Sequence, residues 1–210
     1  TDLFISFDAL APMREVMAQC GYTAAYPFYK SHQLDWCKKE HGAFFHCFDI
    51  HWRISNSSRF ARVLSYDEAL RQSVRVPWLA GARTLCPVHA LLLACVHLAA
   101  NPAHDTNSLI WIYDIHLLLS AMQNSELVRF ATLAAKKQVQ DVCLAAMEKS
   151  RHLFRTAVPE EVVSALSVPL LKLTPVDRFS QSNLGLLCHD LRVLPGVMQK
   201  AAMLGEYFFP

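Results

Sequence analysis

"FHCFDIHWRISN", residues 45–56, is the stretch that decides how this chain folds. Strand residues two apart share a face. Read as a strand over 43–54, the segment puts Phe48, Ile50, Trp52 and Ile54 on one side and Asp49, His51 and Arg53 on the other. The apolar side is ordinary packing surface. The polar side is unusual, because aspartate is a poor strand former and threonine or lysine would solvate an open face at lower cost. An acid, an imidazole and a guanidinium in one row either satisfy one another or serve a ligand.

Working outward, "TDLFISF" at 1–7 alternates as a second strand, with Leu3, Ile5 and Phe7 on one face and Asp2, Phe4 and Ser6 on the other. The chain opens inside this alternation, so the strand is expected to begin upstream of Thr1. Residues 8–20 have helical spacing through Leu10, Met13, Val16, Met17 and Cys20, and Gly21 suits the position just past the helix end. Extended structure is expected over 22–29. The polar stretch "KSHQLDWCKKEHG" then leads into the strand at 43–54, and "SNSS" at 55–58 is a loop.

The character changes near residue 59. A helix or mixed segment reaches to about 75, and "WLAGARTLCP" reads as a hairpin or turn around Gly81. Helices follow at 87–100, 108–122, 125–137, 139–155, 159–167 and 183–204. Pro87 fits the first helical position, and Asn101–Pro102 stops that helix. The expected fold is mixed α+β: an α/β part over 1–85, then a helical domain over 86–210.

With 210 residues, 53% of them apolar, the chain can bury a substantial core. Its 20 basic and 18 acidic residues leave a net charge of +2. Lys38–Lys39 and Lys136–Lys137 read as solvated surface, and no basic stripe argues for nucleic acid as the main partner. Seven cysteines at irregular spacing make no disulfide framework. Cys86, Cys95, Cys143 and Cys188 sit in apolar runs as small hydrophobes, which fits a reducing, cytoplasmic setting. "HALLLACVHLAA" at 89–100 is too short and too rich in histidine to span a bilayer, and no signal peptide is visible, so no membrane partner is expected.

Chemistry could begin at Asp2 and Asp49. If their strands are neighbours, both carboxylates can project from one face. Mg²⁺ prefers such hard oxygen ligands and takes its remaining ones from water and phosphate. Two such ions can clamp the attacking and leaving oxygens at phosphorus. The plainer alternative is that Asp2 only starts a strand while Asp49 pairs with Arg53. A zinc set of Cys37, His41, His46 and Cys47 lacks paired spacing, and His46 and Cys47 point to opposite faces. The dyad His104–Asp105 would need His97 and Asp114 to complete a phosphohydrolase site, and it follows a helix-ending proline. "LGLLCHD" at 184–190 offers no base and nucleophile pair, and the glycines form no phosphate loop.

Taken together, "TDLFIS…MREVMAQCGY", "FDIHWRI", "LCPVHALLLACVHLAAN" and "SLIWIYDIHLLL" resemble an uncharacterised bacterial family of nucleotidyltransferases in the DNA polymerase β-like superfamily. The resemblance covers residues 1 to about 122. It implies transfer of a nucleoside monophosphate from an NTP to an acceptor with release of pyrophosphate, using Mg²⁺ or Mn²⁺. Asp2 matches the second aspartate of the family's Asp-x-Asp pair, whose first member and phosphate-holding turn would lie upstream of Thr1. Asp49 matches the third carboxylate. These two are the implied catalytic residues and metal ligands. His51 matches the histidine of the family's His-Trp, and His97 and Asp114 match the histidine and aspartate of its helix pair. By their own chemistry His51 could orient a substrate phosphate oxygen and Arg53 could neutralise its charge, or both could simply keep Asp49 satisfied. His97 and Asp114 on consecutive helices are expected to make a supporting, buried hydrogen bond. A non-catalytic binding or regulatory module on the same fold is the alternative.

Overall fold

The computed structural model describes residues 1–25, 33–39, 45–55, 60–100 and 108–167, with residues 191, 197, 198, 200, 201 and 204. The chain is mixed α+β, as the sequence implies. It divides into two compact units: Thr1–Asp67 with Val176–Pro210, and Glu68–Pro175. The sequence reading sets its boundary later, at 85/86. The earlier division places most of α2 (Tyr66–Gln72) with the helices, where Glu68 meets Lys137 at 2.6 Å.

In the first unit a four-stranded sheet runs in the order β1 (Asp2–Phe4), β4 (Phe45–His51), β3 (Gln33–Lys39), β2 (Thr23–Ala24). β1 is parallel to β4, and the other pairs are antiparallel. The first strand is shorter than expected. Its last ladder bond runs from the Ile5 amide to the His51 carbonyl at 2.9 Å, after which a 3₁₀ turn at Phe7–Ala9 leads into α1 (Leu10–Gln19).

Helix α1 ends as its sequence requires. Gly21 adopts φ +81°, its amide bonds to Ala18, and the Tyr22 amide reaches Met17 at 2.9 Å. That is a Schellman end, with Tyr22 and Met17 joining the same apolar cluster. The core of this unit packs Leu10 and Met17 against Leu34 and Trp36 of β3 and Ile50 and Trp52 at β4. Ile50 is completely buried, so the apolar side of the opening stretch does what its alternation implies.

β3 is the element that the sequence reading takes for a polar connector. Leu34 and Trp36 alternate inward along it, and their partners Ile50 and Phe48 on β4 complete the buried face. Two apolar residues among Asp and Lys make too short a period to stand out alone.

In the second unit, helices α3 (Pro87–Ala100), α4 (Ser108–Ala121), α5 (Asn124–Lys136), α6 (Gln140–Phe154) and α7 (Glu160–Leu166) lie within a residue or two of their expected limits. α3 packs against α4, α5 and α6 and buries Leu91, Leu92, Cys95 and Val96. Cys95 and Cys143 are buried thiols, and the hydrogen bond that the Cys143 thiol donates to Cys95, together with burial, pushes the Cys143 pKa well above its usual range. A two-stranded hairpin, β5 (Val74–Arg75) and β6 (Arg83–Thr84), forms around Gly81 as expected. The stretch 26–29 and most of 183–204 lie outside the described residues.

Two features of this unit carry predictions. α6 ends at Arg155, which takes the left-handed conformation with φ 53°. A side chain with a Cβ is disfavoured there, and glycine is not. Arg155→Gly should raise unfolding stability by about 0.5–1 kcal/mol, measured by urea titration.

The second feature is His89. It is fully buried in α3, and neither ring nitrogen has a hydrogen-bond partner among the described residues. Burial, with Lys137 and Arg129 nearby, holds its pKa below the usual value of 6.5 despite the opposing pull of Glu68. Both folded and unfolded states hold neutral imidazole above the unfolded pKa. As pH falls through that value, only the unfolded chain gains the proton, so His89 weakens the fold progressively until its own folded pKa is reached. His89→Leu should flatten the stability difference between pH 7.5 and pH 5.5, read by denaturant unfolding at both. An unchanged pH slope would remove His89 as its source.

Candidate functional site

The polar face of the sheet is built by register. Asp2 on β1 lies beside Asp49 on β4, and Asp35 on β3 lies directly opposite Asp49 on the other side. Cross-strand partners project from the same face. Three carboxylates therefore run in a row across three adjacent strands, with Asp49 in the middle. Asp2 is exposed, whereas Asp35 and Asp49 are half-buried.

Electrostatics mark the middle position. Burial raises the Asp49 pKa above its ordinary value of 3.8, and the charges of Asp35 and Asp2 push it the same way. The Thr1 amine and His51 oppose the shift. Like charges directly across a ladder weaken the sheet, so the row is costly unless something cationic faces it. The Gln33 side-chain amide donates to Asp35 Oδ1 at 2.8 Å and fixes that carboxylate on the face.

His51 closes the row at the end of β4, beside Phe4 on β1 and Gln33 on β3. It is half-buried and close enough to Asp49 to favour the ionised carboxylate. Arg53 lies beyond the last residue of β4, within a bend. The strand expected over 43–54 ends at His51, so alternation no longer assigns Arg53 to the Asp49 face. Phe4 of this face packs edge-on against Tyr66 at 5.7 Å.

Two register steps from Asp35 and Asp49, Cys37 faces Cys47, and the two form a disulfide with Cα atoms 4.2 Å apart. This corrects the expectation that the cysteines make no disulfide, and it removes the support that cysteine usage gave to a reducing setting. It also uses both sulfurs that the weighed zinc set would need, and His41 of that set lies outside the described residues. Next to it, the Tyr22 hydroxyl and His46 Nδ1 make a hydrogen bond.

His97 and Asp114 stand in the helical unit, on α3 and α4. Both are exposed, not buried as expected. His97 instead meets the Trp111 ring edge-on, with centroids 4.5 Å apart. The dyad His104–Asp105 and the 184–190 stretch lie outside the described residues.

Asp35 is the residue that sequence reasoning missed, and it was missed with its strand. The signal was present in "QLDWC", where Asp35 alternates with Leu34 and Trp36 as Asp49 alternates with Phe48 and Ile50. Among the described residues no three His, Cys, Asp or Glu side chains converge closely enough to hold a metal by themselves. The oxygen donors at Asp2 and Asp49 nevertheless suit a hard divalent ion, which usually rests on one or two carboxylates and completes its shell with water and substrate phosphate. The mutual repulsion at Asp49 is what such an ion would relieve.

Compared with known families, the chain matches a family described as uncharacterised nucleotidyltransferase over residues 1–155. The matched span contains the carboxylate row and helices α1 to α6. No curated protein and no solved structure matches the chain.

Proposed function

The chain belongs to this family of uncharacterised nucleotidyltransferases, and from that premise we propose that the polar sheet face transfers a nucleoside monophosphate from an NTP to an acceptor. The observation that carries the proposal is the in-register pairing of Asp2 with Asp49 on neighbouring parallel strands. An acceptor oxygen attacks the α-phosphorus, the bond to the β-phosphate breaks, and pyrophosphate leaves. Such a reaction consumes a cellular NTP, which favours a cytoplasmic setting.

Each residue has a task in this reading. Asp2 and Asp49 would hold Mg²⁺ or Mn²⁺, which when bound supplies positive charge to the triphosphate oxygens. Asp49, placed on the acceptor side in this reading, would take the proton that the acceptor loses. His51 orients a phosphate oxygen at the end of the row, and Arg53 offsets charge developing on the phosphate. Asp35 sets the field at Asp49 through its place across the ladder. No helix among the described residues is long and apolar enough to cross a membrane.

The test is Mg²⁺-dependent binding of a non-hydrolysable NTP to the full-length protein by calorimetry. Binding should be present in the wild type and fall by about tenfold or more in Asp2→Asn. Equal affinity with and without Mg²⁺, or in Asp2→Asn, would refute the assignment. Binding without turnover of authentic NTPs would make the chain a non-catalytic nucleotide-binding member of the family.

A further inference from the structure

The β5–β6 hairpin carries a second surface, unrelated to the carboxylate row. Its tip is two successive β-turns. The Leu79 amide bonds to the Val76 carbonyl at 3.3 Å with Pro77 second in that turn, and the Ala82 amide bonds to the Leu79 carbonyl at 3.1 Å. Gly81, third in the second turn, supplies the positive φ of 80°. The result is an apex that presents Trp78 at 86% exposure and Leu79 at 58%. An aromatic side chain so placed contributes almost nothing to the core that carries it.

Behind the apex lies charge of one sign. Arg75 and Arg83 are directly opposite each other in the ladder, and exposed Arg71 precedes them at the end of α2. No carboxylate occurs between Ala69 and Cys86. Like charges in cross-strand register oppose the hairpin's own pairing. Arg83 is tied back to Ser73, with its guanidinium donating to the Ser73 carbonyl at 2.7 Å, which leaves Arg71 and Arg75 to face outward.

An apolar tip carrying tryptophan and leucine, with arginines set one layer back, matches the layering of a lipid interface. Tryptophan settles at headgroup depth, leucine reaches the acyl boundary, and guanidinium groups pair with lipid phosphates. We propose that this hairpin docks the protein reversibly on an anionic bilayer surface. A membrane-spanning helix is not needed for such contact, because the energy comes from one small apolar insertion plus about 1 kcal/mol per arginine near the surface. Single-stranded nucleic acid also pairs aromatic rings with arginine, but it would use the flat ring alone and would leave Pro77, Leu79 and Ala80 facing water.

Co-sedimentation with vesicles decides the matter, using the full chain at low salt. The protein should pellet with phosphatidylcholine vesicles containing phosphatidylglycerol, and not with pure phosphatidylcholine. Trp78→Ser should weaken partitioning by about tenfold, and Arg71→Gln and Arg75→Gln by about fivefold each. All three sites are exposed, so thermal melts of the variants should match the wild type and exclude misfolding as the cause. Absence of vesicle binding, or binding that Trp78→Ser leaves intact, overturns the proposal. So does a single-stranded oligonucleotide that binds through the same three residues and displaces the protein from vesicles.

Discussion

Asp49→Asn should make the protein more stable and at the same time abolish its divalent-dependent nucleotide binding. The two effects have one cause. Asp49 is half-buried between Asp35 and Asp2, and burial together with those neighbours lifts its pKa above 3.8. A group whose folded pKa is raised contributes stability below its unfolded pKa and loses it as pH rises through the folded one. Near neutral pH the ionised carboxylate therefore works against the fold. Asparagine keeps the size, removes the charge, and should raise stability at pH 7 by roughly 0.5–1 kcal/mol in the ligand-free protein. The gain should shrink as pH falls toward 4, where the wild-type carboxyl becomes protonated. Nucleotide affinity in the presence of Mg²⁺ should drop by at least about tenfold. A variant that is less stable at pH 7 would show that Asp49 makes a structural bond whose loss outweighs the repulsion. Opposite signs for stability and binding mark a residue retained for function.

Reduction of the Cys37–Cys47 bond should give the largest loss of stability. The two cysteines are separated by 10 positions and sit opposite each other two register steps from Asp35 and Asp49. Closing a loop of that size restricts the unfolded chain by roughly 2–3 kcal/mol in the loop-entropy account. Cys37→Ser with Cys47→Ser, or wild type treated with a dithiol, should unfold at correspondingly lower urea concentration. Alkylation should count two more thiols in the reduced protein than in the oxidised one. The seven β3–β4 register pairs remain after reduction, so the sheet itself should persist. Equal unfolding midpoints for the oxidised and reduced proteins would mean that the strand pairing already restrains this loop.

Much of the architecture was legible in the residues. The helices from Pro87 to Leu166 announce themselves by long apolar periods, by Pro87 at a start and by Asn101–Pro102 after an end. Gly21 marks the end of α1 because few other residues accept its positive φ. The alternation in the opening stretch places Ile50 inward and Asp49 outward, and both are found so. Local rules suffice here, since each signal is carried by residues that neighbour one another along the chain.

Other features needed partners from distant sequence. β3 has only Leu34 and Trp36 to mark its buried side, and it becomes a strand because β4 offers Ile50 and Phe48 in register. With β3 came Asp35, whose alternation with Leu34 and Trp36 is too short to stand out without a partner strand, and the pairing of Cys37 with Cys47. His97 and Asp114 show the reverse: helical spacing suggests a pair, yet the packing of α3 on α4 leaves both exposed and sets His97 against Trp111. The sequence by itself determined which residues could be apolar, acidic or helix-ending, because those are properties of one residue and its near neighbours. Only the tertiary structure decided which acids share a ladder, because register is a property of two strands at once.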